Sequence, residues 1–242
     1  MNWDDGGSRF FNPAPAISSV PLPGGAQVVV IDDVLLDPDG LVDWARGREF
    51  KPPRGFPYPG VIVDAPAGLA ARFADYFAQH ARTPLQARRT LSHNVRLSMV
   101  TTPPGELDPR QWQCHRDEVT NDPSIIFVAS VLYLFRDPAL GGTSFYVPRQ
   151  SPAATDRILY DSQTLSAEQF GARYGLQAGY MDGGNAYFDC VARVPPAWNR
   201  MILYDAGYFH SGDIGRPELL TAEPATARLT INGFFTCRRQ AR

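Results

Sequence analysis

Ile125-Ile126-Phe127-Val128-Ala129-Ser130-Val131-Leu132-Tyr133-Leu134-Phe135 is apolar on both faces, interrupted only by Ser130. A run this short, β-branched and aromatic reads as a strand at the centre of a sheet. Its exit, Asp137-Pro138-Ala139-Leu140-Gly141-Gly142, is a turn that feeds a second strand at Thr143-Ser144-Phe145-Tyr146-Val147. Upstream, residues 91–101 form a strand that ends at Pro103-Pro104-Gly105. Downstream, strands are expected at 186–194, 200–205 and 228–236, parted by Pro195-Pro196 and by a Gly/Pro-containing loop after His210.

The first third of the chain reads differently. Val28-Val29-Val30-Ile31 is a buried strand, and Asp37-Pro38 supplies an N-cap and first-turn proline for a short helix through Leu41, Val42, Trp44 and Ala45. Residues 51–60, with four prolines, are irregular. A scaffold helix follows from about Pro66 to Ala81, because Leu69, Phe73, Tyr76 and Phe77 recur at helical spacing. His80 near its end reads as a solvated residue, favoured there by the helix dipole. The whole is expected to be one mainly β domain over 1–242: an N-terminal arm (1–25), a helical support (26–89) and a jelly-roll barrel (90–242). That barrel carries an insertion at about 148–184 in which Ser166-Ala167-Glu168-Gln169 forms a capping box for a helix ending near Gly175. The insertion reads as a lid.

Composition narrows the function. A formal net charge of −2 and the lack of a dense Lys/Arg run give no electrostatic reason to expect nucleic acid or an anionic membrane as partner. The partner is therefore expected to be a small-molecule or peptidyl substrate. Cys114, Cys190 and Cys237 are widely spaced, which fits neither a CxxC metal site nor a disulfide framework. With Asp4 and Asp5 where a signal peptide carries cations, and no span of ~18 apolar residues, a cytoplasmic protein is expected. Oligomeric state is not legible.

The chemistry-bearing stretch is Gln113-Cys114-His115-Arg116-Asp117. His115 and Asp117, two apart, point the same way from an extended strand. A distant His on another strand completes a two-His-one-carboxylate set that leaves positions on a non-haem Fe(II) open. His210, in Tyr208-Phe209-His210-Ser211-Gly212, is the candidate, and a barrel mouth is where residues so far apart in sequence meet. Farther on, Arg228, Thr230 and Asn232 share one face of a strand. An Arg on an inner face needs a counter-ion, and its planar fork suits a carboxylate. A dicarboxylate cosubstrate or an internal Asp or Glu would each serve, and with the opposite facing of the strand no counter-ion is needed. Cys114 is expected to turn away from the metal, His93 to be structural, Gly141-Gly142 to be a turn device, and Phe145, Tyr146, Trp112 and Tyr208 to be aromatic core.

These motifs resemble the Fe(II)/2-oxoglutarate-dependent oxygenases, and within them a bacterial, uncharacterised branch called Pass1-related. The resemblance covers about Val95 to Phe235 and rests on Arg96-Leu97-Ser98-Met99-Val100-Thr101, His115-Arg116-Asp117, Gly141-Gly142-Thr143-Ser144-Phe145-Tyr146, Asn199-Arg200-Met201-Ile202-Leu203-Tyr204, His210-Ser211-Gly212 and Arg228-Leu229-Thr230. It implies a double-stranded β-helix with His115, Asp117 and His210 as Fe(II) ligands and Arg228 as the salt-bridge partner of 2-oxoglutarate. Thr230 would assist. Tyr133 and Ser98, on neighbouring strands, either reach the cosubstrate or pack as ordinary core. Arg228 stands farther beyond His210 than is usual in that family. The implied activity consumes 2-oxoglutarate and O2, releases succinate and CO2, and hydroxylates an unknown substrate. Two other readings remain open: a non-catalytic jelly-roll binding protein, and a cupin-type zinc or nickel enzyme without 2-oxoglutarate.

Overall fold

The structure is a computed structural model that describes residues 2–5 and 9–240. In chain order it places β1 at Ala16–Pro21, β2 at Gln27–Asp32, α1 at Pro38–Arg46, β3 at Gly60–Asp64, α2 at Ala67–His80 and β4 at Ala87–Val100. There follow β5 at Ile125–Tyr133, β6 at Thr143–Pro148, α3 at Pro152–Thr164 and α4 at Ala167–Tyr174. The chain closes with β7 at Phe188–Val194, β8 at Met201–Asp205, β9 at Phe209–Gly212 and β10 at Leu229–Arg239.

Two antiparallel sheets result. The larger runs β1-β2-β8-β5-β10-β4-β3 and the smaller β7-β6-β9, which gains a short fourth member where His115 bridges His210 beside β9. From β4 onward, successive segments alternate between the sheets in the order large, small, large, small, small, large, small, large. That winding is the double-stranded β-helix. The apolar stretch at 125–133 sits as expected inside the large sheet, flanked by β8 and β10.

Its two faces bury different things. One carries Val128 and Leu132, which join Leu69, Phe73 and Phe77 of α2 and Leu41 of α1 in a large core. The other carries Ala129 and Tyr133, which meet Phe145 of the small sheet and Tyr204 between the layers. Each fully buried Leu or Phe contributes about 2 kcal/mol of transfer free energy. Continuous apolarity in 125–135 therefore records burial on both sides.

Local signals explain the element ends. The Asp37 side chain accepts from the Gly40 N–H at 3.0 Å at the start of α1, and Ser166 and Gln169 form the reciprocal box of α4, which stops at Gly175 in the left-handed region. Two expectations need correction, and two elements arise where none was expected. Residues 16–21 are no loose arm but an edge strand paired along its length with β2. β3 arises just after the proline-rich stretch, and α3 occupies the insertion. Finally, the His80 ring packs 4.5 Å from Tyr76, with Nε2 buried and unpartnered. It is no solvated cation: burial lowers its pKa. No helix among the described residues is long and apolar enough to cross a membrane.

Candidate metal centre

His115 and His210 exchange both backbone hydrogen bonds, each at 2.9 Å. A hydrogen-bonded antiparallel pair projects its side chains from the same face, and the rings lie 4.5 Å apart. Two residues on, the Asp117 N–H donates to the Ala206 carbonyl at 3.0 Å, which brings the carboxylate back over the pair. Asp117 Oδ1 is 3.5 Å from His115 Nε2 and Oδ2 is 3.3 Å from His210 Nε2. One donor atom from each residue falls within 4.8 Å of the others.

The donor chemistry fits a divalent first-row metal. His210 Nδ1 lies 2.9 Å from the Tyr208 carbonyl, which only accepts, so Nδ1 carries a proton and Nε2 is the ring nitrogen that faces Asp117. Tyr204 walls the ring at 4.7 Å. Burial alone would push the Asp117 carboxyl upward, but the two imidazoles outweigh it and hold its pKa well below the usual range. His210 responds in the opposite sense: burial disfavours its charge, and Asp117 raises its pKa overall. The three side chains differ in access, with His115 half exposed and His210 almost fully enclosed.

A cavity of about 880 Å³ opens beside the cluster. Arg228 lines it, 5% exposed. Its Nε donates to the carbonyls of Leu140 (3.0 Å) and Gly141 (3.1 Å), and Nη2 donates to that of Gly142 (2.7 Å). No carboxylate among the described residues pairs with it, so the internal-acid alternative falls away, and Nη1 has no protein partner. The Gly141-Gly142 turn thus does more than reverse the chain. Gly141 has φ +80°, and a Cβ there would stand 1.8 Å from the Asp213 carbonyl oxygen; one on Gly142 would stand 2.0 Å from that of Val194.

Thr230 is in register with Ser98 on β4 and with Tyr133 on β5, so the three form one cross-strand row. Only Thr230 reaches the cavity wall. The other two are packed inside the core: Tyr133 is bonded to Thr143 Oγ1 at 2.8 Å, and the Ser98 hydroxyl receives Asn232 Nδ2 at 3.3 Å. Thr143 does line the cavity, so Tyr133 acts on it at one remove. Cys114 turns into a cluster with Tyr146, Met181 and Phe188, and burial raises its thiol pKa. Phe145, Tyr146, Trp112 and Tyr208 stay out of the cavity wall.

Sequence reasoning missed several wall residues. Tyr58, from the irregular stretch, has a buried hydroxyl without a partner, and burial pushes its pKa up to about 12 against the lowering effect of Arg228. Gln113 and Arg96 also line the cavity. Gln113 was within reach, being two residues before His115 on an extended segment. Tyr58 gave no signal, since only tertiary folding brings its loop to the barrel. The insertion contributes Leu159, Ser162, Gln163, Tyr180 and Met181 to the wall, whereas the described residues among 1–25 contribute none.

Fold and cluster together describe a double-stranded β-helix protein with a two-His-one-carboxylate cluster in the wall of its cavity. Residues 13–235 match a family described as a family of unknown function (DUF6445), and the chain belongs to it. The comparison with curated proteins found no match. Among solved structures, the chain is similar to a prolyl-4-hydroxylase from Pseudomonas putida, with 18% identity over 84% of this chain and 86% of that one and a TM-score of 0.41. It is also similar to HygX from Streptomyces hygroscopicus with iron bound, with 16% identity over 91% and 82% of the two chains and a TM-score of 0.45.

Proposed function

We propose that the protein is a non-haem Fe(II)- and 2-oxoglutarate-dependent oxygenase, as the Pass1-related likeness of its motifs also implies. The observation that carries this reading is the pairing of the three-ligand cluster with a buried arginine that lacks an acidic partner in the same cavity. When bound, iron and 2-oxoglutarate supply an oxidative decarboxylation, to succinate and CO2, coupled to oxidation of the substrate by O2. His115, Asp117 and His210 hold the metal. The Tyr208 carbonyl keeps the proton on Nδ1 of His210 so that Nε2 can ligate, and Asp117 stays ionised. Arg228, fixed by three carbonyls, presents Nη1 to the distal carboxylate of the cosubstrate. A dianion there offsets a guanidinium whose burial would otherwise be costly. Thr230 adds a hydroxyl from the next inward position of the strand.

Arg228 in the cavity wall favours the cosubstrate reading over the cupin-type alternative, which an arginine outside the cavity would have favoured. The non-catalytic binding reading is separated by experiment. Metal-free protein titrated with Fe(II) and 2-oxoglutarate without oxygen is expected to show the visible charge-transfer band of a keto acid chelated to iron. The band should be lost in His210→Ala. Metal binding with no band would overturn the cosubstrate assignment and leave a metal-binding jelly roll.

A further inference from the structure

Arg96 of β4 is a second guanidinium in the cavity wall. Phe56 covers it at 4.3 Å and Phe234 at 4.7 Å. Stacking of this kind holds a planar cation by its faces and leaves its edge for hydrogen bonding. That edge is unused: Nε is buried with no partner. Tyr58, then Asp117 across the cavity and Asp64, opposite Arg96 in the β3–β4 register, act on it at longer range, neither carboxylate within ion-pair distance.

Two amides share its situation. Asn232 is the register partner of Arg96 on β10, and once its Nδ2 has donated to Ser98 its buried Oδ1 has no partner. Gln113, 2% exposed, lines the cavity with both amide atoms unpartnered. Buried polar groups are normally satisfied, and with the Tyr58 hydroxyl these make four on one cavity wall, which describe the outline of a polar ligand. Position separates this group from the cosubstrate end. Arg228 is enclosed by the Leu140–Gly142 turn, whereas Arg96 stands under Phe56, which is 37% exposed and so lies at the open side.

We propose that Arg96 recognises a carboxylate on the substrate, with Asn232 and Gln113 receiving polar groups of the same molecule, so that the protein acts on a small acid. This rests on the metal and cosubstrate reading above. The planar edge of Arg96 fits a carboxylate bidentately. A neutral or cationic substrate would leave Arg96 uncompensated next to the bound molecule.

The test follows the arginine side-chain Nε–H signals by ¹⁵N NMR in protein loaded with Zn(II) and 2-oxoglutarate, the Arg96 signal being identified by its loss in R96K. The probes are alanine and trialanine, each set against its C-terminal amide. A saturable shift of the Arg96 signal with an acid but not with its amide, and binding weakened about tenfold or more in R96Q, supports the proposal. Response to alanine alone places the carboxylate on a free amino acid, and response to trialanine places it on a peptide terminus. No response to either acid, or equal response to acid and amide, overturns it. Metal binding retained by R96Q verifies that the variant folds. The cosubstrate reading fails separately: if 2-oxoglutarate moves neither arginine signal while an acid moves that of Arg96, the substrate inference stands alone. If 2-oxoglutarate itself moves Arg96 and not Arg228, Arg96 belongs to the cosubstrate and the inference is overturned.

Discussion

Arg228 is a charge held by backbone dipoles, and that arrangement depends on the shape of the guanidinium. Its Nε and Nη2 reach three successive carbonyls, leaving Nη1 for a ligand. Lysine carries one ammonium and cannot do both. Arg228→Lys is therefore expected to weaken 2-oxoglutarate binding at least about tenfold, measured by the charge-transfer titration, with metal affinity little changed. The turn that holds Arg228 is just as constrained. Gly141→Ala must place a methyl group against the Asp213 carbonyl at positive φ, which is expected to cost about 2–4 kcal/mol of stability in denaturant unfolding. A variant as stable as the parent would show that the turn is not strained by a side chain. At this scale His115 and Asp117 were legible because i, i+2 spacing is a local property, whereas His210 was legible only as a histidine at the end of another strand. Arg96 was not, because the rings that cover it come from residues 56 and 234 and nothing local announces their meeting.

Elements place these residues by register. β10 lies between β4 and β5, so each of its inward positions is flanked by two neighbours, and the Ser98–Thr230–Tyr133 row lies next to Arg96–Asn232–Val131. The strands themselves were legible from β-branched runs and turn signals, and α1 and α4 from their caps. β1 and α3 were not. β1 is an exposed edge whose residues show no buried face, and α3 buries only a narrow set that includes Ile158 and Asp161. Asp161 is what joins the insertion together: it is 2.9 Å from Arg157 of α3, 3.2 Å from Arg173 of α4 and 2.6 Å from the Tyr174 hydroxyl. Asp161→Asn should loosen α4 from α3, seen as faster amide hydrogen exchange across 167–174 with β5 and β10 unaffected. Because Leu159, Ser162 and Gln163 of α3 line the cavity, substrate affinity should fall while Fe(II) affinity holds. Unchanged exchange in α4 would show that the apolar contacts of Phe170 suffice.

For the molecule as a whole, two linkages set how stability responds to conditions. His80 supplies the first. Its folded pKa lies below the ordinary value of about 6.5 because its ring is buried against Tyr76. Between the folded and unfolded pKa values the unfolded chain binds more protons, so this contribution is complete above about pH 6.5 and is lost as the pH falls through the folded value. His80→Gln should flatten the acid side of the stability curve in metal-free protein, measured by urea midpoints across pH. The second linkage is the metal. His115 and His210 come from two segments of the small sheet, and Asp117 is tied through Ala206 to the end of β8, so an ion on all three fastens the two sheets at the barrel mouth. Any ion that binds the folded chain alone raises stability in proportion to the logarithm of its concentration, by about 2.7 kcal/mol at 100 times the dissociation constant. For a domain of this size that amounts to an increase in Tm of roughly 5–10 °C. The increase should shrink in acid, where the imidazoles must lose protons to ligate, and should vanish in His210→Ala. An equal rise in that variant would mean that the ion binds elsewhere, and the cluster would then be a hydrogen-bonded triad without a metal.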